Sequence, residues 1–373
     1  MTAGSRSASG REARSLEEHL RRITETPAPP FGEEARGALV AALWSDAGLA
    51  VERDAVGNVI AAVPGGDGPR VLIAAHLDTV FAGGTDVTVR RDGGRLCAPG
   101  IGDNSASLAV LTTFLERIGD GRGVPRPRLT VAATVGEEGL GDLRGARQLV
   151  ADRGDGHDAF IALDGHLGTV VAKAVGSRRL AARFRGPGGH SWGDYPAPSA
   201  VHAAGEAIHA LVSLPIPSTP RTSLNVGEVW GGTSINAIAQ EAGFNLDLRS
   251  LDADVLEASE RRARSVVTAA ARRVGCEVEI ELIGDRPVAH ADNERLVACA
   301  LRAMEGFAPR PAVVASSTDA SAALARGIPA IAFGVYRGGD AHRSSEWLEP
   351  DSLPLGLQAF ERLLACLAKL DAS

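Results

Sequence analysis

The sequence lacks the features that mark several classes of protein. It has only four cysteines, Cys97, Cys276, Cys299 and Cys366, and no two of them have the short spacing of a thiolate metal site. Their spacing also matches no disulfide framework, so we expect a reducing compartment and, by default, a cytoplasmic protein. No segment approaches the ~18 continuous apolar residues of a membrane-spanning helix, so no membrane partner is expected.

Positive charge is not in excess. Lys and Arg total 39 against 46 Asp and Glu, which gives a formal net charge of −7. A nucleic-acid-binding protein usually has a basic stripe, so nucleic acid is not expected as a partner. Residues 1–11 consist mainly of Ser, Gly, Ala and Arg and lack the apolar centre of a signal peptide. We therefore expect a disordered tail over residues 1–15.

What is present indicates an α/β protein with two domains. The chain has 373 residues, 45% of them hydrophobic, which is enough for two cores. Continuous apolar strands such as Leu129–Val135 and Ala159–Leu163 alternate with helical patterns such as Ser105–Ile118. This alternation is typical of a mostly parallel sheet flanked by helices. We predict that residues 16–176 and 286–373 form this catalytic domain.

The pattern changes between residues 177 and 285. Arg178–Arg185 and Glu277–Leu282 alternate apolar and polar residues, which is typical of an antiparallel sheet with one exposed face. Two amphipathic helical stretches, Ser199–Leu214 and Asp252–Arg273, lie between these strands. The sequence therefore predicts an inserted α+β domain over residues 177–285.

Two strand ends have the residue types of a metal site. Glu137 and Glu138 directly follow the apolar run Leu129–Val135 and its Gly turn. His76 ends another apolar strand, and Asp78 lies two residues on and points the same way, so it can orient the imidazole. Taken alone, each pair is also compatible with a solvated strand end.

Three more candidates follow other predicted elements. Asp103 precedes a helix, Asp164 ends a strand, and His342 follows a Gly-rich loop. Singly, each has an ordinary interpretation as a cap, a turn residue or a loop histidine. With His76 and Glu138 they make five candidate ligands at strand ends, where open α/β sheets build their sites. Imidazole and carboxylate without thiolate suit two zinc ions and also admit cobalt or manganese.

The ordered motifs resemble those of the co-catalytic zinc peptidases and deacylases. This family includes peptidase T, carboxypeptidase G, aminoacylase-1, acetylornithine deacetylase and succinyl-diaminopimelate desuccinylase. The resemblance covers about Leu16 to Leu367. Its motifs here are His76-x-Asp78, Gly102-Asp103-Asn104, Glu137-Glu138, Asp164, Gly188-Gly189-His190-Ser191 and His342-x-x-x-Glu346.

The resemblance implies a role for each of these residues. Asp103 would bridge two metal ions, with His76 and Asp164 completing one site, and Glu138 and His342 completing the other.

Further roles implied by the resemblance concern catalysis. Glu137 would be general base and then acid towards a metal-bound hydroxide, and Asp78 would orient His76. The inserted domain resembles a lid that commonly dimerises, from which His190 would reach the partner's active site and stabilise the oxyanion. Asn236 and Arg249 match contacts to a substrate carboxylate, although the local sequence alone favours a turn residue and a surface arginine.

The substrate is the least determined feature. An aspartate at position 164 is closest to the peptidase T side of the family. The loop Ser316-Ser317-Thr318-Asp319 replaces a more usual Gly-Gly-Thr-Asp, and we expect Thr318 and Asp319 to contact substrate. We predict a homodimeric aminopeptidase acting on di- or tripeptides. The alternatives are an N-acyl-amino-acid deacylase or desuccinylase and, because Glu137 accompanies every ligand, less readily a non-catalytic metal-binding scaffold.

Overall fold

The computed structural model describes residues 3–308 and 310–370, with side chains from Glu12 onwards. The chain divides into two units, one formed by residues up to Ala174 together with those from Ala289, and the other by Val175–Val288. The sequence-based boundaries, 16–176 with 286–373 and 177–285, lie close to this division.

The helices and strands follow one another along both units. The helices are α1 (Ala3–Thr24), α2 (Glu34–Asp46), α3 (Ser107–Gly119), α4 (Arg144–Arg153), α5 (Ala200–Val212), α6 (Ala253–Val274), α7 (Glu294–Ala303), α8 (Ala320–Leu324) and α9 (Leu353–Leu367). The strands are β1 (Val51–Arg53), β2 (Val59–Val63), β3 (Arg70–His76), β4 (Arg90–Asp92), β5 (Arg95–Cys97), β6 (Arg128–Thr134), β7 (Ala159–Leu163), β8 (Thr169–Ala174), β9 (Gly176–Arg185), β10 (Gly189–His190), β11 (Thr222–Gly231), β12 (Ala237–Ile238), β13 (Glu241–Ser250), β14 (Glu277–Arg286), β15 (Ala312–Ser316), β16 (Ala330–Phe333), β17 (Gly338–Gly339) and β18 (Trp347–Leu348).

The first unit is built on an eight-stranded sheet with the order β1-β2-β6-β3-β7-β16-β8-β15. Its centre, β6-β3-β7-β16, is parallel. Strand β2 is antiparallel to both of its neighbours, whereas β8 is antiparallel to β16 and parallel to β15. The central strands are apolar and buried on both faces, as expected of a parallel sheet between two helical layers. The predicted α/β class with an inserted domain is confirmed.

The second unit is a four-stranded antiparallel sheet with the order β11-β13-β9-β14. Its strands alternate apolar and polar residues because one face of the sheet packs against α5 and α6. Phe184 and Phe244 meet on this face with ring centroids 5.8 Å apart. The other face is more exposed, so the chain needs an apolar residue only at every second position.

Helix α1 begins at Ala3, so its first turns occupy the stretch for which the sequence predicts a disordered tail. Leu16, Leu20 and Ile23 are fully buried and fix the second half of this helix in the core. The preceding residues include Ala, Arg and Glu, which extend a helix once it has a fixed end. Composition without an apolar periodicity could not indicate this extension.

The cysteine spacings indicate no disulfide, and this expectation is wrong. Cys299 on α7 and Cys366 on α9 form a disulfide, whereas Cys97 and Cys276 are free. The two bonded residues are 67 positions apart, so their pairing depends on the packing of two helices and not on a local spacing. The argument for a reducing compartment loses its basis, and a cytoplasmic location stays a prediction. No helix within the described ranges is long and apolar enough to cross a membrane.

The cap of α6 gives a test of the second unit. Asp252 accepts a hydrogen bond from the Val255 amide at 2.9 Å, which satisfies one free N–H of the helix terminus. Asp252→Ala should lower the free energy of unfolding by about 1 kcal/mol, measured by urea denaturation. Asp254→Ala, in the first turn but not at the cap position, should cost clearly less. Equal losses in both variants would contradict the assignment of the cap.

Candidate metal centre

Three neighbouring strands end in candidate ligands at the same edge of the large sheet. Strands β6, β3 and β7 lie side by side and parallel. His76 is the last residue of β3, Glu137 and Glu138 follow β6, and Asp164 follows β7. Because the carboxyl ends of parallel strands meet at one edge, the topology brings these four side chains together.

Two loops complete the cluster. Asp103 lies in an irregular helical turn before α3, and His342 lies in a turn after β17. Ligand atoms of His76, Asp103 and Asp164 lie within 4.8 Å of one another, and so do those of Asp103, Glu138 and His342. Asp103 belongs to both groups, which is the position that a bridging carboxylate must have.

The two histidines approach different oxygens of Asp103. His76 Nε2 lies 3.0 Å from Oδ1, and His342 Nε2 lies 3.1 Å from Oδ2. His342 Nε2 is also 3.1 Å from Glu138 Oε1. A third group within 4.8 Å contains His76, Glu137 and Glu138, so Glu137 faces the same cluster. Each group thus combines imidazole and carboxylate donors.

The orientation of His76 comes from the main chain of Asp78. His76 Nδ1 lies 3.0 Å from the Asp78 carbonyl oxygen and 3.7 Å from its carboxylate. Because a carbonyl oxygen only accepts, Nδ1 carries a proton that bonds to it, and Nε2 is the ring nitrogen that faces Asp103. The sequence predicts that the Asp78 carboxylate orients His76; that carboxylate lies within ion-pair distance of Nδ1 and also accepts two backbone hydrogen bonds.

The Asp78 carboxylate holds the backbone of the glutamate pair. Its two oxygens accept hydrogen bonds from the amides of Glu137 and Glu138, at 2.9 and 2.7 Å. Burial alone would raise the pKa of Asp78, but His76 and these two amides hold that pKa below its usual value. The fully buried Asp78 therefore stays ionised and joins the ends of β3 and β6.

Glu346 holds the loop that carries Asp103. Its buried carboxylate accepts three backbone hydrogen bonds, from Gly100 at 2.8 Å and from Gly102 and Asp103 at 2.9 Å. Sequence reasoning noted the four-residue spacing from His342 but assigned Glu346 no role. The structure shows that one side chain connects the Asp103 turn to the segment of His342.

Tyr336 explains why the residue before Asp103 is glycine. A Cβ at Gly102 would lie 2.6 Å from the Tyr336 ring, which is closer than packed atoms approach. Burial, followed by the charge of Asp103, raises the pKa of Tyr336 well above its usual value. The neutral phenol ring thus forms one wall of the Asp103 turn.

Thr318 and Asp319 are buried in the first unit at the start of α8. Asp319 accepts a hydrogen bond of 2.5 Å from the Thr134 hydroxyl at the end of β6. Its charge also acts on Asp164, which lies in the ligand cluster. Asp319 is therefore close to the candidate metal ligands, and its contact with substrate stays a prediction.

The remaining predicted residues belong to the second unit. His190 is exposed, and its Nδ1 faces the amides of Trp192 and Gly193 at 3.2 and 3.3 Å. Because Nδ1 accepts these bonds, the proton of the neutral ring is on Nε2. Asn236 lies beside His190, because the main-chain carbonyl oxygen of Asn236 accepts a hydrogen bond from the Ser191 amide at 3.0 Å.

Arg249 lies away from His190 and Asn236 in the second unit. It lies near the end of β13, eight residues after Glu241, or roughly 26 Å along an extended strand. The loop of Asn236 precedes the other end of β13. Arg249 Nε donates to Asp247 at 2.6 Å. Its predicted contact with a substrate carboxylate stays a prediction.

Comparison with known proteins agrees with this geometry. The model of "Peptidase family M20/M25/M40" matches residues 72–365. The chain belongs to this family. The family predicted from the motifs is thus confirmed, and the ligand cluster can be described as that of an M20-family protein.

Two curated relatives and two solved structures illustrate the likeness. The uncharacterized protein YqjE of Bacillus subtilis is 25% identical over 77% of this chain and 81% of its own. Indole-3-acetyl-aspartic acid hydrolase of Enterobacter agglomerans is 31% identical, but over 40% of this chain and 35% of its own. Aminopeptidase PepT of Bacillus cereus shares the fold with a TM-score of 0.74 and 23% identity, over 96% of this chain and 99% of its own. A tripeptidase of Staphylococcus aureus shares it with a TM-score of 0.78 and 21% identity, over 96% of this chain and 99% of its own.

The charges of this M20-family cluster suit cations. Burial, followed by the charge of Asp103, raises the pKa of Asp164 to about 7. Contacts with Asp103 and Glu138 raise the pKa of His342 to about 10. The buried Oδ1 of Asp103 is 3.0 Å from His76 Nε2, but within the described residues it makes no hydrogen bond of suitable geometry. An excess of negative charge and an available carboxylate oxygen are the properties that divalent ions require.

The Glu346 contacts predict an effect on metal binding. A Glu346→Gln side chain has one oxygen in place of two, so it cannot accept all three amide bonds that hold the Asp103 turn. We expect the metal affinity to fall roughly 10–100-fold, measured by competition with a chromogenic chelator. Glu349→Gln, three residues further on, is the matched control and should bind as the parent does. Unchanged affinity in Glu346→Gln would contradict the role of Glu346.

Proposed function

We propose that this chain is a dinuclear metal hydrolase that cleaves an amide or peptide bond of a small substrate, most simply as an aminopeptidase on di- or tripeptides. The observation that carries the proposal is the pair of ligand groups that share Asp103, with Glu137 beside them. A scaffold that only binds metal has no use for Glu137, which is buried in the cluster.

We assign His76, Asp103 and Asp164 to one ion and Asp103, Glu138 and His342 to the other. Zinc suits these nitrogen and oxygen donors, and cobalt or manganese suits them too. When bound, the two ions would polarise the amide carbonyl and activate a water molecule.

Glu137 is the proposed general base and acid. It is 5% exposed, and its amide is fixed by Asp78, so its carboxylate is confined beside His76 and Glu138. Glu138 is assigned to the metal because it lies 3.1 Å from His342, which leaves Glu137 to move protons. Glu137 takes a proton from water and delivers it to the leaving nitrogen.

His190 is the proposed donor to the oxyanion. The proton on its Nε2 suits it to donate a hydrogen bond to the substrate carbonyl oxygen as negative charge develops there. We propose that His190 acts in the partner protomer of a homodimer, formed through the second unit. Strand β11 supports this interface, because it lies at a sheet edge and exposes Val229 and Trp230 by 62% and 42%.

Substrate choice is proposed from chemistry and from likeness. The likeness to aminopeptidase PepT and to the S. aureus tripeptidase favours a peptide as the substrate of this chain. Asp319, a carboxylate near the ligands, could receive the free amine of a peptide. The second candidate is an N-acyl-amino-acid deacylase, which the partial match to indole-3-acetyl-aspartic acid hydrolase favours.

The role of Glu137 gives the direct test. Glu137→Ala should lower hydrolysis of Ala-Ala-Ala, or of N-acetyl and N-succinyl amino acids, about 10²–10⁴-fold while metal content stays that of the parent. Substrate turnover and metal analysis by mass spectrometry measure both effects. The exposed Glu34→Ala is the control and should be fully active. Near-parental hydrolysis by Glu137→Ala would remove it as base, and a parent that hydrolyses none of these compounds would overturn the proposed function.

Complementation tests the action of His190 in the partner protomer. Glu137→Ala and His190→Ala homodimers should each be almost inactive. Mixed and re-equilibrated, the two variants should recover up to about a quarter of parental activity, because half of the protomers are in heterodimers and each heterodimer has one intact site. No recovery, despite subunit exchange seen by native mass spectrometry, would contradict this role.

A further inference from the structure

Three large apolar side chains of the first unit are exposed on loops that contain, or are linked to, the segments of the candidate metal site. Phe31 is 67% exposed, Leu140 53% and Val80 38%. They lie on three loops: residues 28–32, 77–80 and 136–141. Val80 is two residues after Asp78, and Leu140 is two residues after Glu138. Exposed apolar residues are common singly, but a group around one site indicates binding.

Hydrogen bonds join the three loops. The Thr79 amide donates to the Ala28 carbonyl oxygen at 2.9 Å, which links the first loop to the second. The Asp78 carboxylate accepts from the amides of Glu137 and Glu138, which links the second loop to the third. The apolar side chains are therefore carried by one connected backbone that also positions the proposed base.

Arg144 fixes Phe31 next to the third loop. Its guanidinium lies 5.0 Å from the centroid of the Phe31 ring and donates to Glu33 at 2.7 Å. Its stem packs against Gly136, where an added Cβ would lie 2.6 Å from Arg144 Nε. The Phe31 ring is thus held near the residue that precedes Glu137.

The backbone of Phe31 has an unfavourable conformation. Its φ is +68°, in the left-handed region that bulky side chains rarely adopt. Burial does not compensate, because most of the ring is exposed. Backbone strain of this kind is concentrated at ligand-binding and active sites. The contact with Arg144 is a weak reason for an aromatic residue here, because cation–π contacts at exposed sites contribute little, so contact with a ligand accounts better for phenylalanine.

We propose that Phe31, Val80 and Leu140 form an apolar subsite that binds a bulky apolar side chain next to the scissile bond of the substrate. This inference rests on the proposed function and specifies its substrate class: peptides, or acyl amino acids, with an apolar group beside the amide. The occupant is the substrate because two of the loops contain Asp78, Glu137 and Glu138, and the loop of Phe31 is hydrogen-bonded to the first of them through the Thr79 amide. A second copy of the chain is the competing occupant, and the experiment separates the two.

The test compares Leu-Gly-Ala and Gly-Leu-Ala with Gly-Gly-Ala. The parent should have a higher kcat/KM for at least one leucine peptide. Phe31→Asn and Leu140→Ser should lower kcat/KM for that peptide about 10-fold or more beyond their effect on Gly-Gly-Ala. If only acyl amino acids are hydrolysed, N-hexanoyl-alanine and N-acetyl-alanine replace the peptides.

Phe31→Asn also separates binding from folding. Asparagine tolerates a positive φ, so this variant should melt at the parental temperature or above it while it loses selectivity. Val313→Ser, at a residue 49% exposed on β15, is the matched control and should keep parental selectivity. A lower melting temperature with equal losses on all peptides would make Phe31 structural and overturn the inference.

Other outcomes would also overturn it. Equal parental rates on leucine and glycine peptides would leave the proposed function intact and remove the apolar subsite. A fall in oligomer mass for Phe31→Asn or Leu140→Ser in sedimentation would assign the surface to a second copy. A parent that hydrolyses neither peptides nor acyl amino acids would remove both the function and the subsite.

Discussion

The candidate site depends on the position of one carboxylate, that of Asp103. His76 approaches one of its oxygens and His342 the other, at 3.0 and 3.1 Å, so the two ligand groups have this side chain in common. Three backbone bonds to the buried Glu346 fix its turn. A displaced Asp103 would therefore separate both groups at once, whereas the loss of any other ligand would affect only one.

Asp78 likewise holds more than one part of the cluster. Asp78 orients His76 through its carbonyl and fixes Glu137 and Glu138 through its carboxylate, so one residue aligns the ends of two strands. The result is a concentration of carboxylates that burial makes unfavourable. Burial, followed by the charge of Asp103, raises the pKa of Asp164 to about 7, and bound cations would relieve the repulsion between these carboxylates. Fold and metal binding are in this sense coupled.

The sequence was sufficient for the class of fold and for the residues that converge. Apolar strands followed by His76, Glu138 and Asp164 are local patterns, and parallel pairing then brings their ends together. The role of Glu346 and the Cys299–Cys366 disulfide depend on contacts across 243 and 67 positions, which no local pattern contains. The position of Arg249 depends likewise on the length of β13.

The stoichiometry of metal binding tests the account most directly. Native mass spectrometry of the chain titrated with zinc should show two ions per protomer. Asp103→Ala should lose both ions, whereas His342→Ala should keep one, because only Asp103 belongs to both groups. One ion in the parent, or two retained in Asp103→Ala, would contradict a shared carboxylate at the centre of the site.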